Sequence, residues 1–327
     1  MNTKKNIAVV CGGNSGEYEI SIQSADAVLK HLDVKKFSAY KVIIIGFDWK
    51  MIVDGQEFQI NKDDFSCIVG EQKIIFDCVF NAIHGTPGED GKLQGYFDML
   101  GIPYTSSGVL TSAITFNKAI CKAVLKPTKI AMAKSVVLQK DGEINIEAVV
   151  EKTGLPCFVK PNNGGSSIGI SKVANADELP TALEKAFKED NEIIIEEFIN
   201  GTELTCGVTN LNGKITTLGV TEIVSKKEFF DYEAKYIDAQ TEEITPARIS
   251  NEISKKCEKT SELIYRQLQC KGIVRIDYIL KESELYLIEV NTVPGLTDAS
   301  LVPKMARHYG ISLKDLFTAS VEEVIGS

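Results

Sequence analysis

Histidine is scarce in this chain, with three in 327 residues, and none of its eight cysteines (Cys11, Cys67, Cys78, Cys121, Cys157, Cys206, Cys257 and Cys270) falls into a C-x-x-C pair. The cysteines lie far apart, mostly inside apolar runs such as V-V-C-G-G and L-P-C-F-V-K. Reduced core thiols are expected, not a zinc site or a disulfide framework. No apolar stretch approaches the length of a membrane span. The first one, residues 7–11, is too short for a signal peptide and ends in Gly12 and Gly13. A cytoplasmic protein with no membrane partner is the expectation. Basic runs are missing too: 36 Lys and Arg stand against 45 Asp and Glu, for a formal charge of -9. That balance argues against nucleic acid as a partner. A bound anion must then be held by a local cationic cluster. Repeats and low-complexity tracts are also absent.

What is present is ordinary for a folded protein, 44% hydrophobic and 25% charged, at a length that implies two or three domains. The first hundred residues alternate strand and helix. A strand at 7–11 precedes an amphipathic helix bearing Ala25, Val28, Leu29 and Leu32, then a strand at 40–47. A short hairpin-like insert near Asp54 and Gly55 leads to a strand over 74–83 and a helix with Leu93, Phe97 and Leu100, stopped by Gly101. This is a parallel α/β pattern, whose ligands sit at the carboxyl ends of strands, where residues 12–19 and 84–90 fall. A second unit begins near Gly108, with a helix over 115–125, strands at 135–138 and 157–161, and helices at 146–152 and 178–188. The third follows a strand at 193–201 and contains an amphipathic helix with Ile253, Cys257, Ile264 and Leu268.

The segment from Gly272 to Leu301 is the most informative. It reads G-I-V-R-I-D-Y-I-L, a polar turn K-E-S-E, then L-Y-L-I-E-V-N-T-V-P-G-L-T-D-A-S-L. Charged groups inside apolar strands are costly to bury without compensation. Alternation puts Arg275 with Asp277 on one face of the first strand, and Glu289 with Asn291 on one face of the second. If Asp277 pairs opposite Glu289 all four converge, whereas a one-residue slip sends the halves to opposite faces. Two carboxylates and an amide oxygen make the hard-oxygen set that Mg²⁺ prefers, usually together with nucleotide phosphates. The rival reading is a buried Arg275–Asp277 ion pair with Glu289 at a strand edge.

Residues 162–169 hold three glycines and two serines directly after Lys160. A glycine-rich turn between strands lets backbone N–H groups approach phosphate oxygens, and the nearby ammonium adds charge. It is not a Walker A motif, because the lysine precedes the glycines. Nor does G-x-G-x-x-G follow the first strand, which disfavours a nucleotide-binding dehydrogenase. Lys118 at a helix start, Lys235 in F-F-D-Y-E-A-K-Y, and Glu196, Glu197 and Glu203 at the junction of units two and three complete the candidates. Each alone reads equally well as a solvated side chain. Crevices between domains are common cofactor sites, and a strand edge there can read adenine through backbone groups.

Taken in order, these words resemble the ATP-grasp superfamily and, within it, the D-alanine–D-alanine ligase family. The specific matches are G-G-N-S-G-E-Y-E-I-S (12–21), H-G-T-P-G-E-D-G-K-L-Q-G (84–95), G-S-S-I-G (165–169), F-D-Y-E-A-K-Y (230–236) and N-T-V-P-G-L-T (291–297), spanning essentially the whole chain. The resemblance implies a three-domain α/β ATP-grasp architecture. An N-terminal parallel α/β (pre-ATP-grasp) domain over 1–107 would bind the first D-alanine. A central subdomain over 108–197 would carry the glycine-rich hairpin, and a C-terminal subdomain over 198–327 the Mg-binding hairpin and a lid loop.

It also implies the chemistry: ATP phosphorylates the carboxylate of one D-alanine, and the amine of a second displaces phosphate through a tetrahedral intermediate, supplying D-alanyl-D-alanine for peptidoglycan precursors. By the same resemblance Lys118 and Lys160 hold nucleotide phosphates, Lys235 faces the γ-phosphate, and the amides of Ser166 and Ser167 cover them. Adenine meets the backbone near Glu197 and Ile199 with Glu196 beside it, and Glu203 accepts from ribose. Asp277, Glu289 and Asn291 ligate two Mg²⁺ ions, or Mn²⁺ in their place. Arg275 with the Gly295 N–H stabilises the oxyanion. Glu17 holds the ammonium of the first D-alanine and His84 lies near its carboxylate, while Ser300 and the Leu301 N–H receive the second carboxylate at a helix N-terminus. Glu17, Ser166 and Tyr236 form a hydrogen-bonded trio that closes the loop near Tyr232 over the site. Tyr236 favours an amine acceptor, since relatives making D-alanyl-D-lactate differ there. Asn162 and Asn163 stand where some members carry charged residues, and Phe230 replaces a tyrosine found in others. The alternatives are a D-alanine–D-lactate or D-alanine–D-serine ligase, or a catalytically silent ATP-binding regulator. A homodimer is what the family suggests.

Overall fold

The apolar run at residues 7–11 becomes the middle of a sheet. Strand β1 (Lys5–Gly12), buried over its last six residues, pairs in parallel with β2 (Phe37–Ile45) on one side and β7 (Cys78–Asn81) on the other. The computed structural model that defines these elements describes residues 4–165, 168–224 and 241–326. Helix α1 (Tyr18–His31) crosses between β1 and β2, burying Ala25 and Val28. Beyond β2 the sheet turns antiparallel through β3 (Asp48–Val53), β4 (Gln56–Asn61), β5 (Ser66–Val69) and β6 (Gln72–Ile74). The hairpin expected at Asp54 and Gly55 is thus half of a four-strand extension.

The expected strand over 74–83 is a correction. In the order β6-β5-β4-β3-β2-β1-β7 its two ends lie at opposite edges of the sheet. Asp77 sits at the break, accepting from the Asn6 N–H and Lys5 Nζ, both at 2.8 Å. A continuous apolar run carries no periodicity that would mark such a break. Similarly, the expected helix over 115–125 is two helices, α2 (Lys92–Leu100) being followed by α3 (Val109–Phe116) and α4 (Lys118–Leu125). Asn117 interrupts them in an extended conformation and caps α4, its Oδ1 accepting from the Ile120 N–H at 2.9 Å.

A second, antiparallel sheet runs β11 (Ser171–Val173), β10 (Cys157–Pro161), β12 (Glu192–Glu197), β9 (Ser135–Gln139), with α5 (Ile146–Thr153) and α6 (Leu179–Ala186) contributing to its core. The third sheet is ordered β15 (Glu242–Ile244), β14 (Lys214–Val224), β13 (Thr202–Leu211), β16 (Val274–Lys281), β17 (Glu284–Asn291), β8 (Ala131–Met132). Cys257 and Ile264 of α7 (Asn251–Gln267) pack on it, and so do Cys121 and Leu125 of α4. The last helices, α8 (Leu301–His308) and α9 (Leu313–Ile325), return to the first sheet: Val302, Met305 and Phe317 share one core with Ile7, Val9 and Phe80. That return pins the segment following β17 against the amino-terminal unit.

All eight cysteines are buried free thiols. Burial pushes Cys11 and Cys78 up to about 12, so they serve as apolar filling. Among the described residues no helix is long and apolar enough to cross a membrane.

Candidate active site

Strands β16 and β17 pair antiparallel with Arg275 opposite Asn291 and Asp277 opposite Glu289, the register that brings all four to one face. Simple alternation fails just beyond that point. Tyr278 is paired with Leu287, so Ile288 is an extra residue, a β-bulge. Without it Leu285 and Leu287 would share the face of Glu289. With it they join Val274, Ile276, Tyr278 and Val290 in the core, while the polar set looks the other way. The bulge therefore reconciles an apolar core with a polar floor.

On that floor the ion-pair reading and the shared-patch reading hold together. Arg275 forks onto Asp277, with Nε 2.9 Å from Oδ1 and Nη2 2.7 Å from Oδ2, and Nη2 lies 3.6 Å from Glu289 Oε1. The Thr205 hydroxyl donates to Asp277 Oδ1 at 2.6 Å from the neighbouring strand β13. Asn291 Oδ1 accepts from the Val293 N–H at 3.1 Å, which orients the amide. Like charges directly opposite on paired strands are unfavourable, and Arg275 is closer to one carboxylate than to the other. Asp277, Glu289 and Asn291 put two carboxylates and an amide oxygen on one face, a donor set of the kind that suits a hard divalent cation.

The floor opens on a cavity of about 770 Å³ at the junction of the three sheets. Every predicted site residue that the structure describes lines it: Glu17, His84, Lys118, Lys160, Glu196, Glu197, Ile199, Glu203, Arg275, Asp277, Glu289, Asn291, Gly295, Ser300 and Leu301. Ser166, Ser167, Lys235 and Tyr236, and with them the Glu17–Ser166–Tyr236 trio and the loop near Tyr232, lie outside the described residues.

Among the cavity residues of the first unit, Glu17 immediately precedes α1 and is nearly buried. His84 Nδ1 is 2.7 Å from the Val293 carbonyl, which can only accept, so Nδ1 carries the proton. Its Nε2, 3.0 Å from Ser24 Oγ, then accepts from that hydroxyl. Burial lowers the His84 pKa despite the charge of Glu17, consistent with a neutral ring. Gly295 is constrained by close approach: a Cβ there would come 2.9 Å from Ser300 Oγ. Ser300 in turn is held by the Thr297 N–H at 3.1 Å and stands at the start of α8, whose first N–H groups adjoin the cavity.

Lys118 begins α4 and donates to the Gly164 carbonyl at 2.7 Å, tying the helix to the glycine-rich turn. Lys160 Nζ is 2.9 Å from Glu196 Oε2. Glu197 ends β12, with its Oε1 accepting from the Lys134 N–H at 2.8 Å. The same cavity is also lined by apolar residues, among them Ala133, Phe158, Ile170 and Ile199.

Two residues of this site escaped the sequence reading. Glu89 lies in the same H-G-T-P-G-E-D-G word as His84 and lines the cavity, accepting from the Gly85 N–H at 3.1 Å. Burial, and then the neighbouring Glu17 charge, hold its carboxyl well above the usual carboxylate range. Lys122 lies behind Glu196, one helical turn after Lys118, with nothing in its local sequence to distinguish it.

Comparisons with known proteins agree along the whole chain. Residues 6–107 match the model of the D-ala D-ala ligase N-terminus, and residues 124–322 that of the D-ala D-ala ligase C-terminus. A D-alanine–D-alanine ligase of Flavobacterium johnsoniae is 51% identical, over 97% of this chain and 98% of its own. Among solved structures, a VanG D-Ala:D-Ser ligase from Enterococcus faecalis superposes with a TM-score of 0.85 at 34% identity, over 98% of this chain and 99% of its own. A D-alanine–D-alanine ligase from Bacillus anthracis complexed with ATP gives a TM-score of 0.79 at 31% identity, over 98% of this chain and 97% of its own.

Proposed function

Since this chain belongs to the D-alanine–D-alanine ligase family, with the ATP-grasp architecture of that family, we propose that its central cavity joins two D-alanine molecules using ATP, releasing ADP and phosphate. One observation carries the assignment of roles: a single cavity is lined by the lysines Lys118 and Lys160, by the side-chain oxygens of Asp277, Glu289 and Asn291, and by Glu17 and the start of α8.

ATP lies with its adenine read by the backbone at Glu197 and Ile199, with Glu196 beside it and Glu203 on the ribose. Lys118 and Lys160 hold the phosphates under the amides of Ser166 and Ser167, and Lys235 faces the γ-phosphate. Asp277, Glu289 and Asn291 hold Mg²⁺, which when bound supplies positive charge to the phosphate oxygens. Glu17 binds the ammonium of the first D-alanine. Neutral His84 fixes the loop at Val293 while lying near the carboxylate. That carboxylate attacks the γ-phosphorus to give D-alanyl phosphate and ADP. The amine of the second D-alanine, its carboxylate held by Ser300 and the Leu301 N–H, then attacks the acyl carbon. Arg275 and the Gly295 N–H stabilise the oxyanion, and collapse of the tetrahedral intermediate expels phosphate. The trio of Glu17, Ser166 and Tyr236 keeps water from the acyl phosphate.

The units 1–107, 108–197 and 198–327 are proposed as its domains, with α4 of the second packing on the third sheet, β8 of the second joining that sheet, and α8 and α9 of the third packing on the first unit. Eight buried free thiols suit a reducing cytoplasm. A homodimer is proposed from the family alone. Phosphate release from ATP is the test, measured with D-alanine alone and with D-alanine plus D-serine or D-lactate. D-alanine-dependent release with dipeptide as product is expected. No such release overturns the ligase reading, and predominance of a mixed product overturns the acceptor assignment.

A further inference from the structure

Glu196 is clamped from two sides. Lys160 Nζ reaches its Oε2 at 2.9 Å, and Lys122 Nζ reaches its Oε1 at 2.5 Å while also donating to the Ala133 carbonyl at 2.6 Å. All three side chains are largely buried, with 13%, 17% and 10% exposure for Lys160, Lys122 and Glu196. Lys160 and Glu196 line the cavity and Lys122 does not. The two lysines therefore have different freedoms. One faces the cavity, whereas the other is tied to β12 and to the segment before β9.

A buried carboxylate needs a counter-charge, and stripping its partner away is strongly unfavourable. Burial by itself would raise the Glu196 pKa, and Lys160 and Lys122 together bring it down to about 2. If Lys160 were the sole partner, moving it toward a phosphate would strand that charge. We infer that Lys122 is a positioning residue, the permanent counter-ion of Glu196, which leaves Lys160 available to exchange from the carboxylate to the nucleotide phosphates. The inference rests on the ATP-binding reading above and adds to it a reason for two lysines at one glutamate. Lys122 touches neither nucleotide nor reacting atoms. Its effect runs through the ease with which Lys160 is released.

The test is a double-mutant comparison on the full chain, with ADP titrated calorimetrically and ATP varied in steady state. Lys122→Gln keeps a donor but removes the charge. It is expected to weaken ADP binding, and to raise KM for ATP, about tenfold or more, with kcat changed less than about threefold. Lys122→Arg is expected to stay within about threefold of wild type. In a Glu196→Gln background there is no charge to strand, so adding Lys122→Gln is expected to change ADP affinity less than about threefold. A merely structural lysine would not show that rescue. A Lys122→Gln variant within about threefold of wild type overturns the inference, as does a loss that is the same in both backgrounds. Should Lys122→Gln fail to fold, Glu196→Gln against the double variant decides it alone, a loss of about tenfold or more there being fatal. Absence of ADP binding by the wild-type chain instead overturns the ligase reading itself, and this inference with it.

Discussion

Asp277 and Glu289 face each other directly across the β16–β17 hairpin, with Arg275 2.7 Å from the first and 3.6 Å from the second. Two carboxylates so placed repel, and the fold accepts the repulsion at a position that looks into the cavity. Under the proposed metal role, stability and function therefore pull in opposite directions at Glu289.

Glu289→Ala should separate the two. D-alanine-dependent phosphate release is expected to fall by roughly 10³-fold. The melting temperature is expected to stay within about 3 °C of wild type or to rise, because a like-charge pair is relieved. Near-normal turnover would count against the metal assignment.

Thr205 donates its hydroxyl to Asp277 at 2.6 Å and does not depend on direct contact with any substrate for its effect. Thr205→Val is expected to raise the Mg²⁺ concentration for half-maximal rate by roughly 10- to 100-fold, since outer partners orient metal-holding carboxylates. Magnesium titrations of rate for the two proteins check this, and superimposable curves refute it.

Glu196 provides a pH signature. Lys160 and Lys122, working against burial, depress its pKa from 4.5 to about 2 in the folded chain. Its contribution to stability is thus fully present above the unfolded value and lost as pH falls toward about 2. Between pH 5 and pH 3, wild type is expected to lose roughly 2 kcal/mol more unfolding free energy than Glu196→Gln. Urea melts at the two pH values measure the difference, and parallel losses would contradict it.

Gly272 joins the first unit to the third sheet. Its φ is +64°, and a Cβ there would come 1.9 Å from the Thr105 carbonyl oxygen. Gly272→Ala is expected to destabilise by about 2–4 kcal/mol, through both the clash and the left-handed backbone. A denaturant midpoint unchanged from wild type would show that the junction is softer than its geometry.

Much of this site was legible because its chemistry lies in short words. The polar residues of the 272–301 segment are separated by two in each strand, and the apolar residues around them require one face to be a core. Requiring the four polar residues to share a face puts Asp277 opposite Glu289, and the structure has that register. Glu89 was within reach as well, since its motif was already singled out for His84. The split of 74–83 between two sheet edges and the break at Asn117 were not, because an apolar run looks the same whether it is one element or two.

What the chain determined by itself is therefore local: which residues alternate, which glycines permit close backbone approach, and which carboxylates and lysines are available. The tertiary structure decided three things that depend on distant partners. The bulge at Ile288 exists because Leu285 and Leu287 must reach the same core as Val290 while Glu289 does not. The tautomer of His84 is set by the Val293 carbonyl, 209 residues away. Lys122 became part of the site only when its side chain met Glu196 of β12, since the charge that gives it a purpose lies 74 residues further on. Periodicity reports what a segment does to its own faces, whereas compensation of a buried charge depends on which other segment arrives there.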